Sequence, residues 1–111
     1  MFVFRFVVAI GGRLTASTEV LDLKKAKWTL VPSLKLPFGI MGHSVLSSKT
    51  YEDLLVIGGF DLMAEYKDTV FKMNLNGFKS KVELLPTKLS VPRAWFVALP
   101  VASTASFINC S

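Results

Sequence analysis

Two glycine pairs, Gly11-Gly12 and Gly58-Gly59, stand 47 positions apart, and each closes a short apolar run. The runs are Val7-Val8-Ala9-Ile10 and Leu54-Leu55-Val56-Ile57. Runs this short, stopping at glycine, suit strands buried on both faces better than helices. The likeness continues past the glycines with drifting offsets, as loop insertions produce. Val20-Leu21 aligns with Val70-Phe71 or, with a shifted gap, with Thr69-Val70. Trp28-x-Leu30-Val31-Pro32 aligns with Val82-x-Leu84-Leu85-Pro86 at an offset of 54. Leu36 aligns with Leu89, Gly39 with Pro92, His43 with Phe96 and Val45-Leu46 with Ala98-Leu99, at an offset of 53. A repeat of roughly fifty residues holding four short strands has the size of one propeller blade. Such a chain must fold as stacked sheets in which each unit covers its neighbour.

The remaining segments read as strands too. Thr18–Leu23 and Thr69–Leu75 have β-branched and alternating character. Trp28–Val31 and Val82–Leu85 each run into a proline, Pro32 and Pro86. Proline gives no N–H to a ladder, so both strands are expected to end there. His43–Leu46 and Trp95–Leu99 complete the set. The turns carry Asn, Gly, Ser and Lys, as in Asn76-Gly77, which tolerates the positive φ of a tight turn. No long segment repeats apolar residues at helical spacing, so the fold class is all-β. Strands 6–10, 19–23 and 28–31 are expected to pair as one antiparallel meander, and residues 43–85 as a complete four-stranded one.

The ordered features resemble the kelch repeat of β-propellers. That pattern has an apolar strand ending in Gly-Gly, a strand with an apolar pair and often Tyr-Asp, a tryptophan some residues on, a Leu-Pro, a Pro-Arg and a strand often opening on His or another bulky residue. The first copy offers Ala9-Ile10-Gly11-Gly12, Glu19-Val20-Leu21-Asp22, Trp28 to Pro32, Leu36-Pro37 and His43. The second offers Val56-Ile57-Gly58-Gly59, Thr69-Val70-Phe71, Leu84-Leu85-Pro86, Pro92-Arg93 and Phe96. The match spans roughly residues 5–100. It departs where the family's tyrosine is Leu21, where Val82 replaces the second tryptophan and where Gly39-Ile40 replaces Pro-Arg. The resemblance implies a partial blade over 1–35, a full blade over 36–88, the first strand of a third over 89–101 and a flexible tail over 102–111. It makes Gly11, Gly12, Trp28, Pro32, His43, Gly58, Gly59, Pro86, Pro92 and Arg93 structural residues of the repeat, with Trp28, His43 and Arg93 packing between blades and Arg93 bonding carbonyls of a neighbouring blade.

Composition fits a covered sheet array. The 111 residues are 51% hydrophobic and only 19% charged, with a mean hydropathy of +0.48. A small domain exposes much of its surface and should carry more charge, so part of this apolar surface is expected to be covered by something else. The aromatic content excludes a disordered chain. The single cysteine, Cys110, excludes an internal disulfide. No window holds the ~18 uncharged apolar residues of a spanning helix. Arg5 interrupts the apolar N-terminal run and no small-x-small site follows it, so the run reads as a strand rather than a signal, in a cytoplasmic protein. The net charge of +5 comes from turn lysines, Lys24-Lys25-Ala26-Lys27 and Lys79-Ser80-Lys81, with no interleaved aromatics. Neither nucleic acid nor membrane is an expected partner.

Catalytic patterns are missing. There is one histidine, no phosphate loop and no Gly-x-Ser-x-Gly. Asp61 to Asp68 lacks the spacing of a calcium loop and reads as a solvated turn. The chain is therefore expected to be no enzyme, to hold no cofactor or metal, and to bind protein partners. The alternatives are a fragment of a kelch-like propeller oxidase, whose Tyr, Cys and His ligands have no counterparts here, and a basic module for anionic polymers. The loops 13–17, 33–42 and 60–67 are the candidate contact surfaces. The last sets Phe60, Met63 and Tyr66 beside Asp61 as a partner-binding loop. Two blades cannot close a ring, so the chain is expected to be a slice of a longer propeller or to self-associate.

Overall fold

The structure, a computed structural model, describes residues 5–48, 52–75 and 80–101. The expected turn at Asn76-Gly77, Lys79 and the tail 102–111 with Cys110 lie outside the described residues. Within them the chain is all-β, with no α-helix. The strands are β1 (Phe6–Ile10), β2 (Thr18–Asp22), β3 (Lys27–Leu30), β4 (Ile40–Met41), β5 (Ser44–Ser47), β6 (Asp53–Ile57), β7 (Phe60–Asp61), β8 (Thr69–Asn74) and β9 (Lys81–Lys88). They form three antiparallel sheets: β1-β2-β3, β4-β7 and β5-β6-β8-β9. The larger two are the expected meanders.

Directly opposed residues share a face of an antiparallel sheet. Phe6, Val8 and Ile10 therefore lie on one face of the first sheet with Thr18, Val20 and Asp22. Val7 and Ala9 lie on the other with Glu19, Leu21, Trp28 and Leu30. The first face turns its Ile10 end toward the second sheet, where Leu54, Val56, Phe71 and Met73 close a common core. The connection between the sheets supplies the rest: a 3-10 turn at Pro32–Leu34, then Leu34, Leu36 and Ile40, all buried. Thr18, fully buried, stays satisfied by donating from Oγ1 to the Leu34 carbonyl at 2.8 Å.

Three expectations are corrected. β1 is not buried on both faces: Val7 and Ala9 are exposed because nothing among the described residues covers the outer side of its sheet, and Phe6 is exposed at the end of the inner side away from Ile10. Pro86 does not end its strand. β9 runs through it to Lys88, with a register shift opposite Thr69–Phe71; β9 is an edge strand, where a missing N–H is tolerated. Trp95–Leu99 is not a strand: residues 89–101 run alongside the second sheet without a ladder of their own.

The two halves repeat in their backbone hydrogen bonds. Gly11 N–H donates to the Ser17 carbonyl, and Gly58 N–H to that of Thr69, both at 2.9 Å. Gly12 N–H reaches Ile40 at 2.8 Å, and Gly59 N–H reaches Arg93 at 2.9 Å. Leu36 bonds Ala16, and Leu89 bonds Asp68; Ile40 bonds Thr15, and Arg93 bonds Lys67. Registers then equate β1 with β6 at an offset of 47 and β3 with β9 at 54. They equate β2 with β8 at 52, which places Val20-Leu21 against Lys72-Met73. The sequence alignment to Val70-Phe71 is thus out of register by two, because matching apolar pairs ignores the unequal loops between strands.

Candidate functional site

The glycine pairs meet at a seam between the sheets. All four have positive φ. A Cβ on Gly11 would lie 2.5 Å from Ile40 Cγ2 and 3.3 Å from the His43 ring. A Cβ on Gly58 would lie 2.6 Å from the Arg93 carbonyl and 2.8 Å from the Phe96 ring. His43 and Phe96 thus cap the first glycine of successive pairs, as their aligned positions imply. His43 also crosses the seam: its Nε2 lies 2.7 Å from the Ile10 carbonyl. A carbonyl only accepts, so Nε2 is the donor in this contact, and the buried Nδ1 has no hydrogen-bond partner among the described residues.

The other named positions are less enclosed. Trp28 sits on β3 at a relative exposure of 46%, on the uncovered face of the first sheet, not in a buried contact between sheets. Pro32 opens the 3-10 turn. Pro92 and Arg93 are exposed, and Arg93 joins the seam through its main chain, not its guanidinium.

The loop after Gly59 differs from a solvated turn. Asp61 is buried. Its Oδ1 accepts from the main-chain N–H groups of Met63 and Glu65 at 3.0 and 3.1 Å, and its Oδ2 lies 2.7 Å from Lys67 Nζ. The Lys67 bond holds the Asp61 carboxyl below its ordinary pKa against the opposing pull of burial, and Asp61 raises Lys67 in turn. Lys67 also lies 4.7 Å over the Phe38 ring. This clamp fixes a hairpin that presents Leu62, Met63 and Tyr66 to solvent.

Sequence reasoning missed one member of this surface. Trp95, expected inside a strand, holds a left-handed φ of +53° and packs against Phe60 and Tyr66 at centroid distances of 5.7 and 6.3 Å. Phe60 and Tyr66 meet edge-on at 5.3 Å. Trp95 N–H donates to the Gly42 carbonyl at 2.6 Å. Gly42 is its counterpart 53 residues earlier and also has positive φ, +69°. A tryptophan standing where the other half has a left-handed glycine was the available signal. Among the described residues no three His, Cys, Asp or Glu side chains gather to hold a metal, and no helix is long and apolar enough to cross a membrane. No protein-family model matches the sequence, and no curated protein matches it significantly.

Proposed function

We propose that the chain is a protein–protein interaction module built from kelch-like propeller units, and that Phe60, Tyr66 and Trp95, with Leu62 and Met63 beside them, form its contact surface. Trp95 carries the reading. A bulky residue in the left-handed region stores strain, and strain of this kind persists where the surroundings over-determine it, often at ligand sites. Here it keeps a tryptophan 61% exposed on an aromatic cluster. Aromatics and Met beside fixed charges are the composition of an interface core. The repeated glycine seam supports the propeller-unit part of the proposal.

Panning a random peptide library on the immobilised chain tests it. Enriched peptides are expected to bind the wild type and to lose about tenfold or more on Tyr66→Ala or Trp95→Gly, the usual cost of a central aromatic contact. Trp95→Gly relieves the positive φ, so it is expected to keep or raise thermal stability while binding falls. Peptides that bind all three proteins equally would refute the surface.

A further inference from the structure

The two halves of the repeat are not equally covered. β6 has β8 on one edge and β5 on the other, whereas its counterpart β1 has β2 on one edge and no strand on the other among the described residues. The counterpart of β5, 53 residues on, is Val97–Pro100. It has no ladder, and Val97, Leu99 and Val101 are 79%, 74% and 61% exposed. The faces show the same imbalance. Leu54, Val56, Met73 and Val82 line the covered side of the second sheet, while their counterparts Val7, Ala9, Leu21 and Trp28 line the open side of the first.

We propose that the chain assembles head to tail with further copies of itself. Val97–Val101 of one copy adds to the free edge of β1 in the next, and the Leu46, Leu55 and Leu85 face of the first packs on the Val7, Leu21, Trp28 and Leu30 face of the second. The internal copy sets the register. Ser44 to Ser47 pair with Ile57 to Leu54; shifted by the two offsets, Val97, Ala98, Leu99 and Pro100 pair with Ile10, Ala9, Val8 and Val7. Val101 then faces Phe6.

Three details agree with this register. Arg5 and Gly11 exchange hydrogen bonds with the β2 side, so alternation turns the N–H and C=O groups of Phe6, Val8 and Ile10 to the free edge. Ile10 already shares its carbonyl with His43; the groups of Phe6 and Val8 take the new strand. Ser48 N–H donates to the Asp53 carbonyl, so the Ser47 N–H points away from β6. Pro100 falls on the Ser47 position, where the missing N–H costs no ladder bond. Ala98 N–H is held by Ser44 Oγ of its own copy at 3.1 Å, which in an extended strand turns Val97, Leu99 and Val101 outward. A head-to-tail contact leaves a free edge after each addition, so assembly grows until a ring closes.

Light scattering on the eluting wild-type chain is expected to give multiples of 12.2 kDa that shift with concentration. Leu99→Pro removes a ladder N–H at an exposed site and should weaken association about tenfold or more without loss of the sheet signal in circular dichroism. In a Cys110→Ser background, Ala9→Cys mixed with Ala98→Cys should form a disulfide between copies, since a non-hydrogen-bonded pair brings the Cα atoms within bridging range. Tyr66→Ala should assemble normally, so this contact and the aromatic surface fail separately. A monomer at every concentration overturns the inference. So does an Ala98→Cys chain that crosslinks preferentially to Val7→Cys or Val8→Cys, or a 9–98 bridge formed within one copy.

Discussion

Asp61 and Lys67 are hidden charges that constrain each other. The folded pKa of Asp61 lies below its unfolded value, so its contribution is complete above about pH 4 and is lost as pH falls through the folded value. Lys67 runs the other way: raised by Asp61, its contribution is complete below the ordinary lysine pKa and is lost as pH rises through the higher folded one. Chemical denaturation against pH should show a decline on the acid side that Asp61→Asn makes shallower. It should not vanish, because the Arg5 hydrogen bond lowers Asp22 in the same direction. Asp61→Ala should be worse than Asp61→Asn, since only Asn keeps an oxygen for the Met63 and Glu65 N–H groups. The glycines divide in a similar way. Gly58→Ala meets both a φ of +64° and the Arg93 carbonyl, while Gly12→Ala meets a φ of +85° in open space. Melting curves should show Gly12→Ala costing about 1 kcal/mol and Gly58→Ala roughly two to three times that.

Among the elements, the connection 31–42 is the least legible. Its prolines and glycines read as a loop, yet Leu34, Leu36 and Ile40 are core, and β4 within it pairs with Asp61 and Phe60. Ile40 fills the space that both glycine pairs leave open, against Gly11 and against Gly59. Ile40→Ala should therefore cost about 2–5 kcal/mol in urea unfolding, as large-to-small changes in a closed core do. Leu30→Ala, on the open face, should cost far less in the isolated chain. β1 and β6 are readable from apolar runs stopped by glycine, β2 and β8 from alternation and β-branching, and β3 from the run into Pro32. The extent of β9 past Pro86 is not, because a proline's effect depends on whether its strand is an edge, and edges are a property of the sheet. Trp95–Leu99 has the composition of a strand and no strand to pair with among the described residues. Strand propensity expresses fit to a pleated, half-covered surface, and without a partner that fit has nothing to act on.

At the scale of the molecule, one core joins both halves: Ile10, Leu34, Leu36 and Ile40 from the first, Leu54, Val56, Phe71 and Met73 from the second. Unfolding in urea should accordingly be one cooperative transition, and a 1–42 peptide should show no β-sheet circular dichroism; two separate transitions would contradict the shared core. The all-β class, the order of the strands and the repeat follow from the residues as written, because glycine pairs, apolar runs and turn residues act locally and need no partner to be read. Which apolar faces are covered, the burial of Asp61 on Lys67 and the departure of Trp95 from its strand for an aromatic cluster follow from the packed chain alone. Those outcomes depend on what lies opposite each residue, and unequal loops between the strands set that, not the order of residues along any one of them.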